Sequence, residues 1–246
     1  MHPSLTHTRH RPWPLPTTPW VWRQSWCDLL FAHWPVKADR LRALVPAPLQ
    51  IDEFEGTSWI GLVPFRMAGV MRRPLPDLPG ISTFPELNVR LYVTHDGKPG
   101  VWFLSLDATN RLAVWAARRF FHLPYHRAQI RIRTTGDDFR YVSRRRPTGE
   151  PALDVEYRAV SVPFHSRPGT LEHWLTERYC LYAQAPDGSL WRNEVHHAPW
   201  PLQIAEATIT RDTYLASHGL AMDGPPRTLH FAQRQDVIVW NGSRVA

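Results

Sequence analysis

The sequence predicts an α+β protein, mainly β, built on one large curled antiparallel sheet with a few short flanking helices. Three observations carry this reading. Strand-like segments rich in aromatic and β-branched residues recur along the chain, whereas helix-length periodic stretches are few and short. Asp-Gly pairs at 96–97 and 187–188 stand between apolar runs, which is the chemistry of tight hairpin turns. Neither an internal repeat nor a clean linker divides residues 20–246, which therefore read as a single domain. A sheet with so many inward-facing aromatics is expected to close into a cone or barrel.

The elements follow in order. Residues 1–19 are rich in Pro and His and lack the apolar core of a signal peptide, so they read as a flexible tail. Residues 20–34, WVWRQSWCDLLFAHW, form a long strand. Asp39 can cap a short helix through Val45, which Pro46 and Pro48 end. Residues 49–65 give two strands joined at Glu55-Gly56, and 71–85 form a Pro-rich loop of the kind that often carries function. The clearest hairpin is 86–107, turning at Asp96-Gly97. A helix spans Arg111 to Phe121, and strands follow at 128–134, 138–144 and 153–162, with Gly136-Asp137 as a turn. Thr170 can cap a helix through Tyr179. A hairpin over 178–195 turns at Asp187-Gly188, a short helix starts at Thr210 or Asp212 and stops near Gly219, and a last strand covers 228–240.

Composition narrows the function classes. The chain has 246 residues, 43% hydrophobic and 21% charged, enough for a packed core, which excludes a disordered chain. No apolar run approaches the roughly 20 residues a membrane-spanning helix needs, so no transmembrane helix is expected, and no membrane partner is expected. Two distant cysteines, Cys27 and Cys180, give no disulfide framework, and a cytoplasmic location is the expectation. The net charge of +7 favours anionic ligands or surfaces. Of 29 basic residues 27 are Arg, so only Lys37 and Lys98 could supply an amine for Schiff-base chemistry.

Alternation along the 86–107 hairpin points to a site. Glu86, Asn88 and Arg90 share one face of their strand. With a two-residue turn at Asp96-Gly97, Asn88 lies opposite Ser105 and Glu86 opposite Asp107, so one face would carry all five polar residues. That face is either solvated or the floor of a polar cavity. In the second case Arg90 binds an anionic or carbonyl ligand and Glu86 acts as acid or base, while Asn88, Ser105 and Asp107 orient ligand or water. His122-Leu-Pro-Tyr-His126 adds Tyr125 and His126 as proton donors or hydrogen-bonding groups, and His33 beside Trp34 is a further ligand-binding candidate. Thirteen histidines show no metal-ligand spacing, so no metal is expected, and there is neither a dinucleotide nor a phosphate-loop glycine pattern, so no cofactor is expected. Arg131, Arg133 and the run Arg144 to Arg146 keep nucleic-acid binding as a third reading, although acidic residues are interspersed.

The phrases FAHWPV (31–36), VPF (63–65), FPELNVR (84–90), GVWFLSLDA (100–108), LPYHRA (123–128), LTERY (175–179) and HAPWPL (197–202) resemble the uncharacterised YqjF-like proteins of the acetoacetate decarboxylase-like superfamily. The resemblance implies a curled sheet forming a cone or barrel around a central cavity. It also makes Glu86 the counterpart of the decarboxylases' strand glutamate. In the segment resembling their lysine region this chain has Tyr125 and His126 instead, so decarboxylation through a Schiff base is not expected. The expected function is binding of a small organic anionic or carbonyl ligand. The alternative is a non-catalytic interaction module using the polar face and the 71–85 loop. Twelve tryptophans leave room for a homo-oligomer interface.

Overall fold

The computed structural model describes residues 2–77 and 82–246. Its strands are β1 (Trp22–Val36), β2 (Gln50–Ile51), β3 (Ser58–Arg72), β4 (Phe84–His95), β5 (Lys98–Ala108), β6 (Tyr125–Thr135), β7 (Asp138–Arg145), β8 (Ala152–Ala159), β9 (Cys180–Gln184), β10 (Leu190–His197), β11 (Gln203–Asp212), β12 (Thr228–Val239) and β13 (Ser243–Arg244). The helices are α1 (Ala38–Arg42), α2 (Arg111–Phe121), α3 (Leu171–Thr176) and α4 (Tyr214–Ser217). No helix among the described residues is long and apolar enough to cross a membrane.

Nine strands close a barrel, running β1-β3-β4-β5-β6-β7-β8-β11-β12 and back to β1. All contacts in this ring are antiparallel except β5 with β6. A second circuit branches from it. The β9–β10 hairpin pairs with the start of β5 through Val101 and Trp102, and with the end of β12 through Val237 to Val239. The sheet therefore forks between β5 and β12, and strands β1, β3 and β4 serve two compartments with their two faces. One face packs Leu30, Ile60, Leu62, Leu87 and Val89 against Ile130, Tyr141, Val155 and Tyr157 and fills the barrel. The other packs Phe31, Val63, Phe65 and Phe84 against Val114 of α2, Tyr125 and Trp200.

Two bulges set which side chains reach each compartment. In β1, Asp28 adopts φ 54°, a conformation that Asp tolerates better than most residues. The pairing with β3 slips between Cys27 and Ala32. An extra residue reverses strand alternation, so Trp22, Gln24 and Trp26 before it and Leu29 after it line the same cavity. In β5 the slip falls between Arg90↔Phe103 and Val89↔Ser105, leaving Leu104 as the extra residue.

Several local expectations need revision. Helix α1 has Lys37 at its N-cap position with no side-chain cap, and Asp39 sits in its first turn instead. Helix α3 ends at Thr176, although Thr170 does accept from the His173 N–H as a cap. Strand β11 was not expected; its apolar positions include the exposed Ile204, which hides the alternation. The 1–19 segment makes contacts with the rest of the chain. Arg11 binds Glu194 and the Val195 carbonyl on β10, and the Trp240 indole donates to the Thr18 carbonyl. Of the Pro-rich 71–85 loop, residues 78–81 lie outside the described residues.

Candidate functional site

A cavity of about 160 Å³ lies between the outward face of β1, β3 and β4, helix α2 and Trp200. Its walls are mostly apolar and aromatic, with Trp26, Phe65, Phe84, Phe103 and Phe121 among them. The sequence folds this way because β4 alternates Leu87, Val89 and Leu91 into the barrel core and leaves Glu86, Asn88 and Arg90 on the reverse face. All three line the cavity, as does Tyr125.

Glu86 is 2% exposed. Its Oε2 accepts from the Tyr125 hydroxyl at 2.9 Å, and Asn88 also hydrogen-bonds its carboxyl. Burial penalises the charged form and pushes the Glu86 carboxyl up to about 8, against the opposing pull of those two hydrogen bonds. The group is therefore a protonated acid at neutral pH. Burial, reinforced by Glu86, likewise holds the Tyr125 phenol well above its ordinary range.

Arg90 is 8% exposed and forms no ion pair among the described residues. One terminal nitrogen donates to the Leu175 carbonyl at 3.0 Å and to the Tyr92 hydroxyl at 3.2 Å, and its Nε has no partner. The guanidinium lies over the Phe31 ring at 5.0 Å. A desolvated cation without a counter-charge is costly. Three further buried polar atoms on cavity-lining residues are unpartnered, namely Trp26 Nε1, Trp200 Nε1 and Asn88 Oδ1. Arg90 is the cationic residue of the lining, which suits an anionic group.

His33 is not on the cavity surface. It is wholly buried behind it, with Nε2 bonded to the Tyr92 hydroxyl at 2.7 Å and its ring stacked on Phe31. Burial, and then Arg90, hold it well below its ordinary value, hence neutral. The His33–Tyr92–Arg90 chain thus fixes the guanidinium. Gly61 makes room for it, because a Cβ there would lie 2.8 Å from His33 Nε2.

Ser105 and Asp107 do not join this site. The Leu104 bulge turns them into the barrel, with Leu87 rather than Glu86 opposite Asp107 and Val89 rather than Asn88 opposite Ser105. Asp107 binds Arg145 at 2.7 and 2.9 Å and accepts from the Tyr214 hydroxyl at 3.2 Å, while Ser105 bonds His218 at 3.2 Å. His126 goes with them, because it follows Tyr125 and alternation sends it to the barrel face. Burial, and then Arg145, lower its pKa. Of the eight candidate residues, Glu86, Asn88, Arg90 and Tyr125 therefore converge, His33 supports them, and Ser105, Asp107 and His126 belong to a separate network. Sequence reasoning missed Tyr92, Trp26 and Trp200. For Tyr92 the signal was present: it continues the alternation of 86, 88 and 90.

Lys37 is exposed at the start of α1, and the Lys98 amine lies 3.8 Å from Glu194 and 5.2 Å from the Trp13 ring centre. Neither lines the cavity. Among the described residues, no group of three or more His, Cys, Asp or Glu side chains could hold a metal ion.

Comparison with known proteins agrees with this architecture. A protein from Bacillus subtilis (strain 168) described as uncharacterized protein YqjF is 47% identical over 221 residues, covering 90% of this chain and 91% of that one. An acetoacetate decarboxylase of Streptomyces nogalater is 25% identical over 83% of this chain and 65% of its own length. Among solved structures, acetoacetate decarboxylase from Legionella pneumophila superposes with TM-score 0.65 at 14% identity, covering 97% of this chain and 93% of that one. The enduracididine biosynthesis enzyme MppR complexed with pyruvate gives 0.64 at 14% identity, over 93% and 91% of the two chains. These structures share the fold. Residues 23–236 match the DUF2071 family of uncharacterized conserved proteins, and the chain belongs to that family, carried on an acetoacetate decarboxylase-like barrel.

Proposed function

We propose that this chain binds a small organic acid, its carboxylate on Arg90 and a carbonyl or enol oxygen near Glu86, and that it does so without a lysine Schiff base. The observation that carries the reading is the buried Arg90 guanidinium, with no carboxylate partner among the described residues, beside a cavity of about 160 Å³. A ligand carboxylate would supply the missing charge. The size suits a molecule on the scale of benzene, for which a cavity of roughly 150 Å³ is sufficient. Glu86 and Arg90 stand four residues apart on β4, about 13 Å between Cα atoms at the usual strand rise. The aromatic walls around them suit an apolar group beside the ligand's acid group.

Protonated Glu86 is equipped to donate a proton to a carbonyl or enolate held there, with Tyr125 as its hydrogen-bonding partner. The positions of Lys37 and Lys98 support the absence of Schiff-base chemistry at this cavity. The similarity to MppR, solved with pyruvate, and to acetoacetate decarboxylases makes oxo acids the first compounds to try. Isothermal titration with oxo acids of increasing chain length, beginning with pyruvate and acetoacetate, tests the proposal. Binding should vanish in Arg90→Ala and persist in Glu86→Gln, and borohydride should trap no adduct. Binding unchanged in Arg90→Ala, or a borohydride-trapped lysine adduct, would overturn it.

A further inference from the structure

Helix α2 has two faces that do different work. Ala113, Ala116, Ala117 and Phe121 form one wall of the cavity. The other face leaves Leu112, Trp115 and Phe120 exposed at 62%, 60% and 59%. Three large apolar side chains on so short a helix are an unusual exposure for a monomer surface. The helix sequence RLAVWAARRFF contains no acidic residue. Arg111, Arg118, Arg119 and Arg127 surround a groove beside Trp115, and none of the four forms an ion pair among the described residues. The helix buries only Val114 fully, and a left-handed His122 (φ 54°) ends it.

We propose that this outward face of α2 docks on an anionic lipid bilayer. Leu112, Trp115 and Phe120 enter the headgroup region while the arginines meet lipid phosphates. The argument is charge and shape together. An apolar stripe flanked only by cations is the pattern of a helix lying in the membrane interface, with aromatic rings at headgroup depth. A second copy of the chain is a poorer occupant, because a two-fold contact would set these arginines against their own equivalents. Docking would place the cavity wall formed by α2 against the bilayer. The proposal does not depend on which ligand the cavity holds.

The test is co-sedimentation of the full chain with vesicles of phosphatidylcholine, alone or mixed with phosphatidylglycerol. The chain should pellet with the mixed vesicles only, and less as salt rises. The double variant Trp115→Ala/Phe120→Ala alters exposed side chains and should keep its melting temperature while losing vesicle binding. Arg111→Glu/Arg119→Glu should weaken binding by roughly fivefold or more per site. No pelleting with mixed vesicles at low salt, or pelleting unaffected by Trp115→Ala/Phe120→Ala, would overturn the proposal. So would a dimer, or a single-stranded oligonucleotide complex, that is lost in the apolar double variant.

Discussion

Glu86→Gln gives the most quantitative prediction. In the unfolded chain a glutamate ionises near 4.5, whereas burial moves Glu86 to about 8 in the fold. Between those values the native state keeps a proton that the unfolded state has lost. Raising the pH therefore favours unfolding: the stabilising effect of the proton is complete below about 4.5, falls across the interval and is gone above about 8. Each pH unit of separation corresponds to about 1.4 kcal/mol, so the whole interval amounts to about 5 kcal/mol. Gln keeps the shape and the acceptor for the Tyr125 hydroxyl but cannot ionise. Urea denaturation of the two proteins from pH 5 to 9 isolates the effect, because other groups titrate in both. The wild type should lose stability relative to Glu86→Gln by about 1 kcal/mol per pH unit through neutrality. Parallel pH profiles would refute the claim that Glu86 is buried and protonated.

Tyr125→Phe removes a hydrogen bond that favours the ionised Glu86, so the midpoint of this pH dependence should move above about 8, read from the same urea series. Gly61→Ala would press a Cβ to within 2.8 Å of His33 Nε2; it should cost about 1–3 kcal/mol and weaken organic-acid binding by displacing the support of Arg90, measured by melting and titration. Asp107→Asn removes the charge that pairs with Arg145 inside the barrel; it should cost about 3 kcal/mol in urea denaturation yet leave ligand affinity intact, because it acts in the other compartment.

Local chemistry was the legible part of the fold. Asp96 and Gly97 adopt φ 50° and 71°, as a type I′ hairpin requires. The β4 face was legible for the same reason, because alternation within one unbroken strand is a strict rule. It failed across the hairpin, where one extra residue at Leu104 reverses the rest of β5 and carries Ser105 and Asp107 away. Nothing in LSLD signals that bulge. The fork of the sheet at β9–β10 also escaped, since it depends on pairings far apart in sequence, such as Val101 with Leu181. The contacts of the N-terminal segment were not legible, because Pro and His content describes its backbone and not the Glu194 and Val195 partners of Arg11.

The central claim is that Arg90 awaits a carboxylate. Native mass spectrometry of the protein equilibrated with short and medium-chain oxo acids tests it most directly. The account predicts a one-to-one complex that disappears on denaturation and is absent in Arg90→Ala. A complex that survives Arg90→Ala, or no complex with any acid of the series, would contradict it.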